Sequence, residues 1–189
     1  MRVIAALAVV AVGCSSSGGG SGSTPGSFHV ADMISAAITM SDGTGNANDS
    51  AWIVLASTSQ LCSDAGASPP IDRKGQRFIA IQLLDVNGAA SATPVAPGTY
   101  TIYPNTGSQP AHEALLTTGG LDGSCQSIDA DSGSGESGTV TLTAISGNVF
   151  SGSYDVVLNT GDTIAGTFAP EACPALETEV GSPAAHSCE

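Results

Sequence analysis

The residues of this chain with the types to do chemistry are its cysteines, an acidic loop, a His-Glu pair and a cluster of cations. Cys62, Cys125, Cys173 and Cys188 include no C-x-x-C spacing, and only Cys188 has a histidine, His186, nearby in sequence. Zinc needs paired ligands at short spacing, so disulfides are the expected chemistry, with three connectivities open. Asp129, Asp131 and Glu136 alternate with small residues, as in loops that give Ca²⁺ its oxygen ligands. The match to an EF-hand is incomplete: Gly133 stands at the third ligand position and Ser134 where the turn needs glycine. A weak calcium site and a solvated loop before a strand both fit. Asp42 to Asp49 forms a second polar loop with a poorer ligand pattern. His112-Glu113 begins like H-E-x-x-H, but Leu116 occupies the second histidine position. That leaves a surface pair on a strand edge. His29 and His186 lie near the two ends of the chain and are expected to be exposed.

The chain has 17 Asp and Glu against 4 Lys and Arg, for a formal net charge of −13. Nucleic-acid binding is excluded on this balance, because it needs clustered cations against phosphates. With 41 % apolar and 11 % charged residues, the chain can fill a core and is not kept unfolded by charge. Arg73, Lys74 and Arg77 fall within five positions before an apolar run. They are expected to guard a strand entrance against edge pairing; the alternative is a spot for lipid phosphate or a partner's carboxylates. No G-x-S-x-G elbow is present. Two carboxylates of a glycosidase can come from distant strands, yet one Trp and 4 % aromatics give little surface for stacking sugars.

The N-terminus fixes a compartment. Met1-Arg2 precedes an apolar run over 3–12, too short for a bilayer that needs about 20 helical residues. A basic start, a short apolar run and a small residue before a break is the layout of a signal peptide. Ala11-Val12-Gly13-Cys14 resembles the lipobox of bacterial lipoproteins, with Ala11 where that family usually has Leu. The resemblance implies cleavage of residues 1–13 and lipidation of Cys14, whose acyl chains suffice for stable anchoring. An ordinary cleaved signal with an unmodified Cys14 is the alternative. Residues 15–27 read SSSGGGSGSTPGS, a flexible tether with a mean reach of about 20 Å. Ser15 after the cysteine, by resemblance to lipoprotein sorting rules, implies the outer membrane of the cell envelope. Loss of Arg2 leaves three cations, all between residues 73 and 77, and a net charge of −14.

From Phe28 onward the apolar period is mostly two. Val140, Leu142 and Ala144 alternate with threonines; Phe150, Tyr154, Val156 and Leu158 share a face; Ile164 and Phe168 come after them. Turns at Ser146 to Asn148 and Asn159 to Asp162 make this a β-meander. Residues 51–57, 78–86, 98–103 and 112–118 read as further strands. Residues 28–40 fit a strand or a helical stripe, and the strand is favoured. One short helix is expected over 59–65, with Thr58 or Ser59 as N-cap. The fold class is therefore mainly β: an antiparallel β-sandwich or up-and-down barrel of about eight strands, with at most one short helix. The β domain spans 28–175, and the acidic tail 176–189 is expected to be loose except where Cys188 pins it. In an up-and-down order the ends of the second and last strands reach one pole. This favours Cys62 with Cys173 and Cys125 with Cys188.

Several of these stretches come in a particular order. Ile53-Val54-Leu55, Leu61-Cys62 and Pro97-Gly98-Thr99-Tyr100 are succeeded by Ser137 to Leu142, Gly152-Ser153-Tyr154-Asp155, and Gly161-Asp162 through Gly166-Thr167-Phe168 to Cys173. Over residues 28–173 the chain resembles a family of uncharacterised lipoproteins common in myxobacteria. The resemblance implies a β-rich domain and carries no catalytic residue across. The expected function is an envelope-anchored lipoprotein with a non-catalytic β domain for binding, adhesion or envelope assembly. Its partners are the membrane, through the lipid, and an unidentified protein or glycan. A surface hydrolase with carboxylates converging from separate strands is the alternative.

Overall fold

A computed structural model describes residues 25–41, 47–86, 92 and 95–189. Threonines alternating with buried Val140 and Leu142 build the long strand β7 (Gly133–Ser146), which turns into β8 (Val149–Leu158) and then β9 (Thr163–Phe168). The meander is antiparallel throughout. Its close pairing demands glycine at two places. A Cβ at Gly152 would collide with the Thr141 carbonyl oxygen, and Gly138 combines a φ of +117° with close approach to the Asp155 carbonyl. The register of β7 against β8 shifts between Gly135 and Ser137 and between Leu142 and Ala144, as at β-bulges.

Upstream lie β1 (Asp32–Ser41), β2 (Ala47–Ala56), α1 (Leu61–Ala65), β3 (Ile71–Asp72), β4 (Arg77–Asp85), β5 (Gly98–Ile102) and β6 (His112–Gly120). After β9 come β10 (Glu171–Ala172), α2 (Pro174–Gly181) and β11 (Ser187–Cys188). The main sheet runs β10-β1-β2-β4-β6-β5-β7-β8-β9, and β11 pairs with β3 in a small second sheet. The protein is thus mainly β, with one large curled sheet. Among the described residues, eight strands have five residues or more, in line with the expected number of about eight. The order departs from a simple up-and-down progression, because β5 inserts between β6 and β7 and runs parallel to β6.

The curl encloses one core and leaves another outside. Ile53, Leu55, Ile79, Ile81, Leu83, Tyr100, Val140, Leu142 and Phe150 pack inside. The opposite face of β1 and β2 buries Ile34, Ala36, Ile38 and Trp52 against Leu61 and Leu176 of the two helices. Residues 28–40 are ambiguous by pattern because the face opposite Ile34, Ala36 and Ile38 also carries apolar residues, Met33, which is partly buried, and Ala37, which is exposed. The β reading holds because Ile34, Ala36 and Ile38 share one face at period two.

Three expectations are corrected. Two helices form instead of at most one, because the tail is not loose: α2 buries Leu176, and β11 joins β3. The N-cap of α1 is neither Thr58 nor Ser59 but Gln60, at φ 74° and without a side-chain cap bond. The Leu61 N–H instead donates to Asp32 Oδ2 at 2.9 Å. Finally, β7 begins at Gly133, well ahead of the alternation at Val140, Leu142 and Ala144, because Gly133 and Ser134 pair with Thr118 and Thr117 of β6.

Candidate functional site

Sequence-distant residues meet where the chain end returns to the start of the domain. Cys62 on α1 is bonded to Cys173, just before α2. Cys125, in the connection from β6 to β7, is bonded to Cys188 on β11. Of the three connectivities, this is the one the strand ends favoured. Between the 65–70 loop and α2 lies a cleft of about 630 Å³, whose rim includes Ser68, Pro69, Thr178, Glu179 and Ser182.

His186 is exposed, as expected, but it is held between two carboxylates, one of them Glu179 on the cleft rim. Its Nδ1 lies 2.7 Å from Asp72 Oδ1 on β3, and its Nε2 lies 2.9 Å from Glu179 Oε1 on α2. Only the protonated ring can donate from both nitrogens. Burial works to lower the His186 pKa, but the two carboxylate contacts and their charges outweigh it and raise the pKa above the ordinary histidine value. Its position in the sequence carried no such signal, since Asp72 is 114 residues away.

The cation cluster has a different job from guarding an edge. Strand β4 lies inside the sheet, between β2 and β6, so its entrance is no edge. Arg73 Nε donates to Asp64 Oδ2 at 2.8 Å, and Arg73 Nη1 reaches Glu189 Oε2 at 3.4 Å. Arg77 Nε donates to Asp131 Oδ2 at 3.0 Å. Asp64 and Asp131 are 5 % and 2 % exposed. Two of the three cations therefore compensate buried carboxylates, as buried charge requires. Lys74 is exposed, and its backbone N–H donates to the Glu189 carbonyl.

The same geometry separates the calcium candidates. Asp131 is turned inward to Arg77, whereas Asp129 and Glu136 are exposed, the first in a 3-10 turn and the second on β7. Among the described residues no group of three His, Cys, Asp or Glu is arranged to hold a metal. Residues 42–46 of the second polar loop lie outside the described residues, as do Cys14, the expected signal peptide and the expected tether up to Thr24.

Strands β4 and β6 carry the two other buried acids, Asp85 and Glu113, at 4 % and 3 % exposure. Asp85 pairs across the ladder with His112, and Leu84 with Glu113. Alternation then puts the two acids on opposite faces. Asp85 Oδ1 lies 3.3 Å from His112 Nδ1, on the side of the enclosed core, where the His112 ring meets Tyr100 edge-on at 5.5 Å. Glu113 Oε2 accepts from Gln109 Nε2 at 2.6 Å on the other face. His112-Glu113 is therefore not the surface pair on a strand edge expected: Glu113 is buried, β6 lies inside the sheet between β4 and β5, and the two side chains point to opposite faces. Tyr100 Oη donates to the Ala96 carbonyl at 2.8 Å; burial raises the pKa of this phenol.

Among the described residues no helix is long and apolar enough to cross a membrane. In comparisons with protein-family models, curated proteins and solved structures, the chain has no match.

Proposed function

We propose that this chain is a lipid-anchored protein of the bacterial cell envelope, held in the outer membrane through Cys14. Its curled β domain serves a non-catalytic role in binding, adhesion or envelope assembly, toward a protein or glycan. The observation that carries the reading is the pairing of all four cysteines of the domain in two disulfides, which belongs to an oxidising, exported compartment. The signal-peptide layout and the Gly/Ser tether point to the same place. A non-catalytic role is supported by the use of the buried charges. Asp64, Asp131 and Asp85 each engage a different basic side chain, and Glu113 faces away from Asp85. Closure of the sheet into a barrel belongs to the same reading. It is supported by Ser35 Oγ of β1, which donates to the Asn148 carbonyl in the turn between β7 and β8 at 2.7 Å.

The test is acyl labelling in a diderm host. Wild-type chain is expected to take up labelled fatty acid and fractionate with the outer membrane, with processing blocked by globomycin. The Cys14→Ser variant is expected to lose both label and membrane association. A Cys14→Ser protein that stays acylated and membrane-bound overturns the anchor.

A further inference from the structure

The two disulfides sit in unlike surroundings, and the difference assigns them unlike roles. Cys173 is fully buried, in the cluster formed by Trp52, Leu61 and Leu176, so its bridge to Cys62 is shielded on that side. Cys188 is exposed, on the two-residue strand β11, and Cys125 is half-buried. We propose that Cys125–Cys188 is a thiol–disulfide exchange site, opened by an external dithiol to release the C-terminal strap 182–189, while Cys62–Cys173 stays closed.

The chemistry balances with the dithiol as reductant. Its thiolate attacks the exposed Cys188 Sγ, forming a mixed disulfide and expelling the Cys125 thiolate, which takes a proton from water. The second thiol of the reductant then attacks its own sulfur in the mixed disulfide. Cys188 leaves as thiolate and is protonated, and the reductant departs as its cyclic disulfide. Two electrons move to the protein. Attack at Cys188 is favoured because access governs exchange.

The two halves of the bridge are held differently, so reduction affects them differently. Cys125 belongs to a self-supporting turn: Asp122 Oδ1 accepts from Ser124 N–H, Ser124 Oγ–H and Gln126 N–H at 2.7–2.9 Å. Those donors, that of Gln126 first, hold the Asp122 carboxyl below its ordinary pKa. The turn also places Cys125 at φ +59°, a backbone state that non-glycine residues seldom adopt. Cys125 Sγ lies 3.6 Å from the Asp72 carbonyl, which can accept its S–H once the bond opens. The Cys125 side therefore keeps its shape.

The Cys188 side has less to hold it. Its ladder to β3 is two residues long, closed by Ser187 N–H to the Pro70 carbonyl and Glu189 N–H to the Asp72 carbonyl. The remaining ties are Lys74 N–H to the Glu189 carbonyl, Ser187 Oγ to the Pro70 carbonyl, His186 to Asp72 and Glu179, and Arg73 to Glu189. Such short, exposed pairing opens readily without a covalent tie. Release of the strap removes Ser182 and Ala184 from the wall of the cleft and bares the edge of β3.

The test uses the folded full domain with its tether. Protein is exposed to a graded dithiothreitol series, quenched by alkylation and mapped by mass spectrometry, with Cys62 and Cys173 as the internal reference. Cys125 and Cys188 are expected to be labelled on the order of tenfold faster. Equal rates, the reverse order, or no labelling of Cys188 before global unfolding overturn the assignment. In parallel, a Cys125→Ser/Cys188→Ser variant that melts cooperatively is followed by amide hydrogen exchange. Faster exchange at Lys74, Ser187 and Glu189, with β7 to β9 unchanged, is the expected result. Unchanged exchange at those amides shows that the bridge restrains nothing and overturns the latch. Should the variant fail to fold, the exchange measurement is made on wild-type protein selectively reduced at that bridge.

Discussion

The enclosed core and the stapled C-terminal unit are two solutions to one problem within a single chain. Inside the curl, Ile53, Leu55, Ile81, Leu83, Val140, Leu142 and Phe150 remove their side chains from water by long ladders of β pairing. The stapled unit has only short elements to work with: α1 of five residues, α2 of eight, and β3 and β11 of two each. Such pieces cannot bury enough apolar surface to offset their own ordering entropy. Beyond the burial of Leu61 and Leu176 against β1 and β2, they are held by two disulfides, by the buried Asp64 with Arg73, and by His186 between two acids. Apolar area stabilises where strands are long, and crosslinks and ion pairs do so where they are short.

The sharpest test of the contrast removes a large side chain from the enclosed core. Phe150→Ala is expected to cost about 3–5 kcal/mol in urea denaturation, with earlier unfolding of the whole domain. Replacing Cys62 and Cys173 together by Ser removes a crosslink spanning 111 residues and is expected to cost about 2–5 kcal/mol. Its signature is different, since protease sensitivity should appear first in α1 and α2 while β7 to β9 stay protected. Equal sensitivity across the domain would erase the distinction between the regions.

Asp131→Asn tests a charge compensation at the boundary of the two regions. It is expected to cost about 1.5–3 kcal/mol by loss of a charged hydrogen bond. Adding Arg77→Met to that variant should recover part of the loss, and a fully additive double variant would dissolve the pair. The smallest effect is at His186, measured as melting temperature against pH. Its folded pKa lies above the ordinary value, so the folded state binds the proton more tightly than the unfolded one. The stabilisation is complete below the unfolded value of about 6.5 and fades as pH rises through the raised folded value. His186→Gln should flatten that slope above about pH 6 and leave the rest of the profile alone.

The meander was legible in the sequence because β7, β8 and β9 each bury one face, so period two and the turn at Ser146 to Asn148 speak together. The strand β1 was half-legible, since apolar Met33 and Ala37 on its second face blur the alternation although Ala37 is exposed. The helix α2 was not legible: Leu176 is its one buried side chain, too little for a helical period to register. Nor was the insertion of β5 between β6 and β7, since strand order is set by pairing between segments distant in sequence. Asp64, Asp72, Glu179 and His186 were missed because a charge acquires a role only from what folding sets beside it.

By itself the sequence determined the β character, the turns, the number of long strands and the expectation that four cysteines pair. These arise from local alternation and from residue types whose preferences act over a few positions. Only the tertiary structure decided that the tail is a helix and a strand instead of a loose end. It alone showed that Arg73 and Arg77 compensate buried acids, and that one disulfide is shielded while the other faces water. Burial and charge pairing are properties of neighbours brought together from far apart, and no local pattern encodes them.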